Sequence, residues 1–398
     1  MRSTTRLRGM TWDHPRGIDA LRAGSDEFER LTGVAIDWTA RPLREFEDTS
    51  VVELAARYDL VALDHPFIGD AVAAGALMPL DTVLLPAELA ERADDSAGPS
   101  NSSYHWKGRP WGGAVDAACM VSAHRAGAVD PAGIPGRWDA VAAFARRCGR
   151  ESVLLAANPT HLWGTVLSLC EAVANTAVGP RDGWRRSGDG RPDWWGDGGI
   201  EPAVLDEAID RALRLLPLCA PESLRSDPIT VLERLARSGD PAMYTPLVFG
   251  YITYARPGAR GELVAFSDAP RVGDDPVGTL TGGVGLAVSA HADSGREAAA
   301  FVRFVTSAKV QGGLSHDAGG QAGRRSVWTD EDVNAQVTHF YRDTLATMDR
   351  SFLRPRSPGY PSYQRAAADA LHRGVLNGVG RREIVAELGK LWRVHVQA

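Results

Sequence analysis

LRGMTWDHPRGIDALRAGSDEFERLTGVAIDWTARPLREFEDTSVVELAARYDLVAL, residues Leu7 to Leu63, decides the fold class. Three short runs, Leu7 to Trp12, Val34 to Thr39 and Leu60 to Leu63, have the length and apolar character of strands. Between them, Asp19 to Leu31 and Glu45 to Tyr58 carry apolar residues at helical spacing. This βαβαβ order predicts a parallel sheet, because parallel neighbours need a long crossover where antiparallel ones need only a turn. Gly33 stands where the first helix requires a C-terminal cap.

Working outward, Pro99 to Gly113 is rich in Ser, Gly and Pro, and the apolar run Ala114 to Ala123 after it reads as a strand leaving the first domain. Helices are predicted over Trp138 to Cys148 and His161 to Val178. The polar segment Gly179 to Gly199, with Trp184, Trp194 and Trp195, reads as a surface insertion. Pro241 to Tyr254 is aromatic and strand-prone, and the Gly/Pro/Asp-rich stretch Arg256 to Gly278 is the expected second crossing. Thr281 to Ser289 reads as a strand, and Ser294 to Ser307 as a helix capped by Asp293 or Ser294. From Glu331 onward the pattern is almost wholly helical. A chain of 398 residues exceeds what one core supports, so two domains are expected. Their boundaries are placed at 1–113 with 279–323, and 114–278 with 324–398.

Composition narrows the function classes. Hydrophobic residues at 44% and charged residues at 24% are ordinary globular values and exclude fibrous and disordered classes. The net charge of -6, without a run of Lys or Arg, argues against nucleic acid as a partner. Lysine occurs only at Lys107, Lys309 and Lys390, a bias typical of high-GC genomes. Cys119, Cys148, Cys170 and Cys219 form no CxxC pair and read as buried thiols. No apolar stretch approaches the roughly 18 residues of a membrane span. Met1 to Gly9 lacks the apolar core of an export signal, so the sequence as it stands reads as cytoplasmic. Had a signal been trimmed, the expected place is the extracellular face of the membrane. There is no G-x-S-x-G elbow, phosphate loop, H-E-x-x-H or dinucleotide fingerprint, so no catalytic residue, cofactor or metal is assigned.

Open parallel sheets bind ligands beyond the carboxyl ends of their strands. Two such loops share a tripeptide: Asp13, His14 and Pro15 follow the first strand, Asp64, His65 and Pro66 the third. A 2-1-3 strand order would set both Asp-His pairs on one cleft wall, where they could bind hydroxyls or act as acid and base. The competing reading is local, an Asp bonding its own turn. A metal is disfavoured, since no further ligand spacing supports it. Trp12, Phe67, Phe249 and Tyr251 are candidate stacking faces, with Tyr251 and Tyr254 evenly balanced against core packing and Trp163 assigned to the core. Arg16 is a candidate anion contact at a helix start. Asp116 lies in the first crossing, and Gly282 with Gly283 would let backbone approach a ligand.

TGGVGLAVSAHADSGREAAAFVRFVTSAKVQGGLSHDAGGQAGRRSVW, Thr281 to Trp328, resembles the glycine pair, strand, helix and arginine-containing return of the family 1 extracellular solute-binding proteins, carbohydrate-type receptors of ABC importers related to maltose-binding protein. RPRSPGYPSYQRAAADALHRGVLNGVGRREIVAELGKLW, Arg354 to Trp392, is similar to that family's closing helices. YDLVALDHPFIGDAVAAGALMPLD, Tyr58 to Asp81, is similar to its third strand, cleft loop and Gly-x-Leu-x-Pro-Leu turn. The resemblance covers nearly the whole chain and departs from the family in lacking a signal and lipobox cysteine. It implies a class II periplasmic-binding-protein-like fold, two α/β domains joined by a hinge around an interdomain cleft. The implied function is capture of a small polar molecule by hinge closure, with an ABC permease as partner if the chain is exported. The alternative is a cytoplasmic enzyme or sensor that reuses the fold, with the Asp-His pairs as acid and base. Ionisation of His14 and His65 is then expected to modulate binding between roughly pH 5.5 and 7.5.

Overall fold

A computed structural model describes residues 5–42, 45, 49–177, 188, 190–258, 260–272 and 276–397 of the chain. Strands Arg6–Trp12, Ala35–Arg41 and Leu60–Leu63 lie parallel, in the expected 2-1-3 order. The first helix, Pro15–Thr32, starts earlier than its apolar period suggested. His14 is the reason: its Nδ1 accepts the Arg16 N–H at 3.1 Å, and Pro15 presets the first helical φ. Gly33 ends the helix in the left-handed conformation at φ 77°. Of the helix expected over Glu45 to Tyr58, Val51–Ala55 is helical, and positions 43–44 and 46–48 lie outside the described residues.

The strand Gly113–Arg125 carries the architecture. Gly113 to Cys119 pair antiparallel with Thr281–Ser289, while Met120 to Arg125 pair with Tyr244–Phe249 and Val264–Ser267. One sheet therefore runs through two lobes. Its order is Tyr244–Phe249, Gly113–Arg125, Thr281–Ser289, Leu60–Leu63, Arg6–Trp12, Ala35–Arg41. One buried cluster gathers Leu7, Leu63, Leu80, Val288 and Phe301, a second gathers residues between Met120 and Trp392, among them Trp163, Leu280 and Phe352, and a third gathers residues between Ala97 and Met348, among them Val121, Tyr254 and Trp328.

Several expectations change. The chain does not return within Arg256 to Gly278, because Val264–Ser267 still pairs with the second lobe and Leu280 still bridges Phe352. The return is made along Thr281–Ser289 itself, whose Gly285 to Val288 reach Leu60–Leu63. Pro241 to Tyr254 is a strand only over Tyr244–Phe249, followed by a single turn at Ile252–Tyr254. Ser294 occupies the cap position of Gly295–Val305, but its side chain makes no capping bond. Trp194 and Trp195 belong to no surface insertion: both are buried, stacked at 5.6 Å, against Phe352, Tyr360 and Trp392. The Trp194 indole donates to the buried Glu171 carboxylate at 2.5 Å, which supplies the polar partner a buried indole needs. Trp184 lies outside the described residues. Among the cysteines, Cys119, Cys170 and Cys219 are buried free thiols and Cys148 is half-buried.

Where the lobes meet, the pairing slips. Val284 faces Asp116 but Gly285 faces Ala114, so Val115 is an extra residue and the strand bulges there. Gly283 adopts φ 105° beside the bulge, and a Cβ on it would stand 2.5 Å from the Asp116 carbonyl oxygen. Gly320 to Arg324 dock on the same bend through Gln321, which donates to the Ala117 carbonyl at 2.7 Å, and from the preceding turn Gln311 donates to that of Ala114 at 2.7 Å. Gly283→Ala adds both backbone strain and a backbone clash, so we expect a stability loss of at least about 1–3 kcal/mol, read as a lower urea midpoint.

Candidate functional site

The carboxyl ends of the first and third strands open on a cavity between the lobes, with a free volume of about 120 Å³. Trp12 ends the first strand, and its ring lies flat on Gly17 of the first helix, where a Cβ would come within 2.5 Å of the indole. Phe249 ends its strand on the opposite lobe and packs on Gly282, where a Cβ would stand 2.6 Å from the ring. Glycine at these two positions thus seats two aromatic walls. Phe67 and Tyr251 complete the ring-lined faces.

Arg16 sits on the floor of the cavity and is 4% exposed. Its Nε and Nη2 donate to the two Asp116 oxygens at 2.6 and 2.5 Å, its Nη1 donates to the Gly250 carbonyl at 2.8 Å, and its guanidinium lies 4.4 Å over the Tyr251 ring. Burial opposes the charge of Arg16, yet Asp116 outweighs it and raises the guanidinium pKa above its ordinary value. A second pair lies beside the first. Arg354 Nη2 donates to both Asp64 oxygens at 2.8 and 2.6 Å, and Nη1 donates to Gln364 at 3.0 Å. Burial works to raise the Asp64 carboxyl, but Arg354 and the His65 hydrogen bond prevail and hold it down to about 2. Each arginine meets an aspartate from another part of the chain, so both pairs tie the first lobe to the second.

Of the residues singled out from sequence, Trp12, Arg16, Asp64, Phe67, Asp116, Phe249, Tyr251, Gly282 and Gly283 line this cavity together. Asp13, His14 and His65 do not. Asp13 is exposed. His14 caps its helix and meets Tyr251 edge-on at 5.0 Å. His65 is fully buried, and its Nε2 accepts the backbone N–H of Arg354 at 3.2 Å. Burial, with Arg16 and Arg260 adding to it, pushes His14 down to about 3. Burial and Arg354 push His65 down to about 4. Both imidazoles are therefore neutral across pH 5.5 to 7.5, which removes the titration expected there. Neither can serve as an acid–base group on a cavity it does not line.

Sequence reading missed Thr160, His161, Arg354, Pro361, Gln364 and Arg365, all lining residues. The last four lie in the C-terminal segment whose likeness to closing helices was legible, but helical spacing alone does not say which turn faces the cleft. His161 follows Asn158-Pro159, a readable helix start. Among the described residues, no cluster of three or more His, Cys, Asp or Glu side chains is placed to hold a metal, and no helix is long and apolar enough to cross a membrane.

An ABC-transporter solute-binding protein of Agrobacterium radiobacter, in complex with ribitol, is similar over 97% of each chain at 20% identity and TM-score 0.73. The maltose-bound MalE3 of T. maritima matches 98% of this chain and 99% of its own at 13% identity and TM-score 0.78. The chain has the fold of the maltose-binding-protein class of solute-binding proteins. A third protein of that class, from Thermotoga lettingae and bound with α-D-tagatose, covers 98% of this chain and 100% of its own at 13% identity and TM-score 0.76. No protein-family model and no curated protein matches the chain. In all three the likeness spans 97–98% of this chain and 97–100% of the other.

Two outcomes follow. Asp116→Ala strands the buried Arg16 charge and should cost about 3–5 kcal/mol in urea unfolding, far more than an exposed carboxylate such as Asp13→Ala. For His14 and His65 the folded pKa lies below the unfolded value of about 6.5, so the unfolded chain gains protons first as pH falls. Stability should then drop from about pH 6.5 toward pH 4, by on the order of 1 kcal/mol per pH unit for each histidine, and His65→Ala should flatten the urea-midpoint profile measured between pH 7 and 5.

Proposed function

We propose that the chain captures a small, uncharged, polyhydroxylated solute of carbohydrate type by closing its two lobes around the cavity. The observation that carries this reading is the lining itself: four aromatic faces, Trp12, Phe67, Phe249 and Tyr251, around two Arg–Asp pairs already neutralised within the protein. Ring faces receive the C–H faces of a sugar, and the rims of the ion pairs still offer N–H donors and carboxylate oxygens to hydroxyls. A charged solute would find no unbalanced counter-charge in these pairs.

The moving bodies in this reading are residues 1–113 with 279–323 and residues 114–278 with 324–398. The separate buried cluster of Leu7 to Leu80 with Val284 to Val310 and the bulge at Val115 support this division, although Ala97, Leu280 and Ala322 pack in clusters of the second body. The sugars and polyol bound by the structural neighbours support the solute class. In an exported form of the chain, at the extracellular face of the membrane, the partner would be an ABC permease. The alternative of an enzyme loses its acid–base groups with His14 and His65.

Calorimetric titration with ribitol, D-tagatose, maltose, other neutral sugars, amino acids and organic acids tests the reading. We expect micromolar or tighter binding of at least one neutral polyhydroxylated compound, with a smaller radius of gyration by solution scattering on its addition. Binding confined to the amino acids or acids, or binding of nothing below millimolar, overturns it.

A further inference from the structure

The histidine that reaches the cavity is one the paired tripeptides did not flag. His161 occupies the first turn of the helix Pro159–Ala177, which begins at the cavity wall, and it is 3% exposed. Asn158 caps this helix. Its Oδ1 accepts the backbone N–H of His161 at 3.0 Å and lies 2.8 Å from the His161 Nδ1. The backbone N–H can only donate, so the atom facing it must be the amide oxygen and not the NH2 group. That oxygen can only accept, so Nδ1 must carry the ring proton. A neutral imidazole has a single N–H. Nε2 is therefore a bare lone pair, with no hydrogen-bond partner among the described residues.

The neutral state is secured by position. The ring is packed edge-on against Phe249 at 6.2 Å. Burial pushes its pKa down to about 4, with Asp227 pulling upward and Arg354 pushing further down. Asp64 and Asp116, the two carboxylates of the cavity, each have both oxygens engaged by an arginine, Asp116 by two nitrogens of Arg16 and Asp64 by Nη2 of Arg354. His161 Nε2 is an acceptor that needs no counter-charge.

We propose that His161 selects the solute on the second lobe, its Nε2 accepting a hydroxyl or N–H proton, with Asn158 as the positioning residue that fixes the tautomer. This deepens the solute-capture reading and rests on it. A solute with a donor at that point gains a hydrogen bond in a site shielded from water. One carrying an ether oxygen or a carboxylate there sets lone pair against lone pair, and a deoxy analogue leaves Nε2 buried and unpaired, a loss against which such sites discriminate strongly.

Two measurements on the full chain test the proposal. Long-range ¹H–¹⁵N correlation spectra near pH 7, with His161→Phe to identify the signals, should show His161 protonated on Nδ1 and bare on Nε2; a proton on Nε2 overturns the proposal whatever binds. Titration with whichever of ribitol, D-tagatose and maltose the unaltered chain binds should show affinity falling by about 3- to 10-fold in His161→Phe, a ring-for-ring change. Asn158→Ala, which releases the tautomer, should fall by less. His161→Gln, which keeps an acceptor oxygen, is the second variant should the Phe variant not fold, and it should lose less affinity than removal of the acceptor. Unchanged affinity in His161→Phe, beside clear binding by the unaltered chain, overturns this inference alone. If the unaltered chain binds none of the neutral sugars or polyols, the solute-capture reading falls and this one with it.

Discussion

The buried bidentate pair between Arg16 and Asp116 is the constraint around which the two lobes are arranged. Arg16 belongs to the start of the first helix, Asp116 to the bulged crossing strand, and the third contact of the guanidinium, Gly250, to the far lobe. Removing two charges from water costs several kcal/mol per ion unless geometry and further hydrogen bonds compensate. For Arg16 they do, since all three donor positions named above are used and its flat face is covered by Tyr251, whereas burial outweighs Arg16 at Asp116 and lifts that carboxyl above its ordinary value. The bulge at Val115 sits immediately beside Asp116, and the left-handed Gly283 lets the partner strand approach it closely.

The second pair, Asp64 with Arg354, extends the tie toward the C-terminal helices. His65 takes the backbone N–H of Arg354, Arg356 donates to the Ser102 and Ser103 carbonyls, and the backbone N–H of Gly359 is accepted by Asp70. The turn after the third strand thus serves chiefly to receive the segment Arg354 to Gly359, and one edge of it, Asp64 and Phe67, remains on the cavity. Because Arg16 and Arg354 are each balanced by an aspartate, these two pairs leave shape, ring faces and the direction of hydrogen bonds to discriminate between solutes. A neutral acceptor such as His161 is well suited to that role.

Solved relatives of the fold share only 13–20% of residues with this chain over nearly its whole length. Such likeness at low identity is what binary patterning permits: the sheet and its crossovers need apolar residues at the right period, caps and a few glycines, and tolerate wide substitution elsewhere. The cavity is not under the same rule, since each lining residue answers to a particular neighbour. Gly17 beneath Trp12 and Gly282 beneath Phe249 are cases where the backbone position and the wall it carries depend on each other.

The sequence by itself determined the 2-1-3 parallel unit, the left-handed cap at Gly33, the strands around Ala114 to Ala123 and at Thr281 to Ser289, and most of one cavity wall. These are properties of short-range pattern: period, capping and loop position beyond a strand end. It misjudged Trp194 and Trp195, whose polar neighbours disguised a buried stack, and it read two histidines as ligand groups because a repeated tripeptide looks the same whether it faces a cleft or caps a helix. Only the tertiary structure decided that Arg16 meets Asp116 and that Arg354 meets Asp64, partners 100 and 290 residues apart. The direction in which a side chain points is set by what packs behind it, and for His14, His65 and His161 those partners come from contacts that no local pattern encodes.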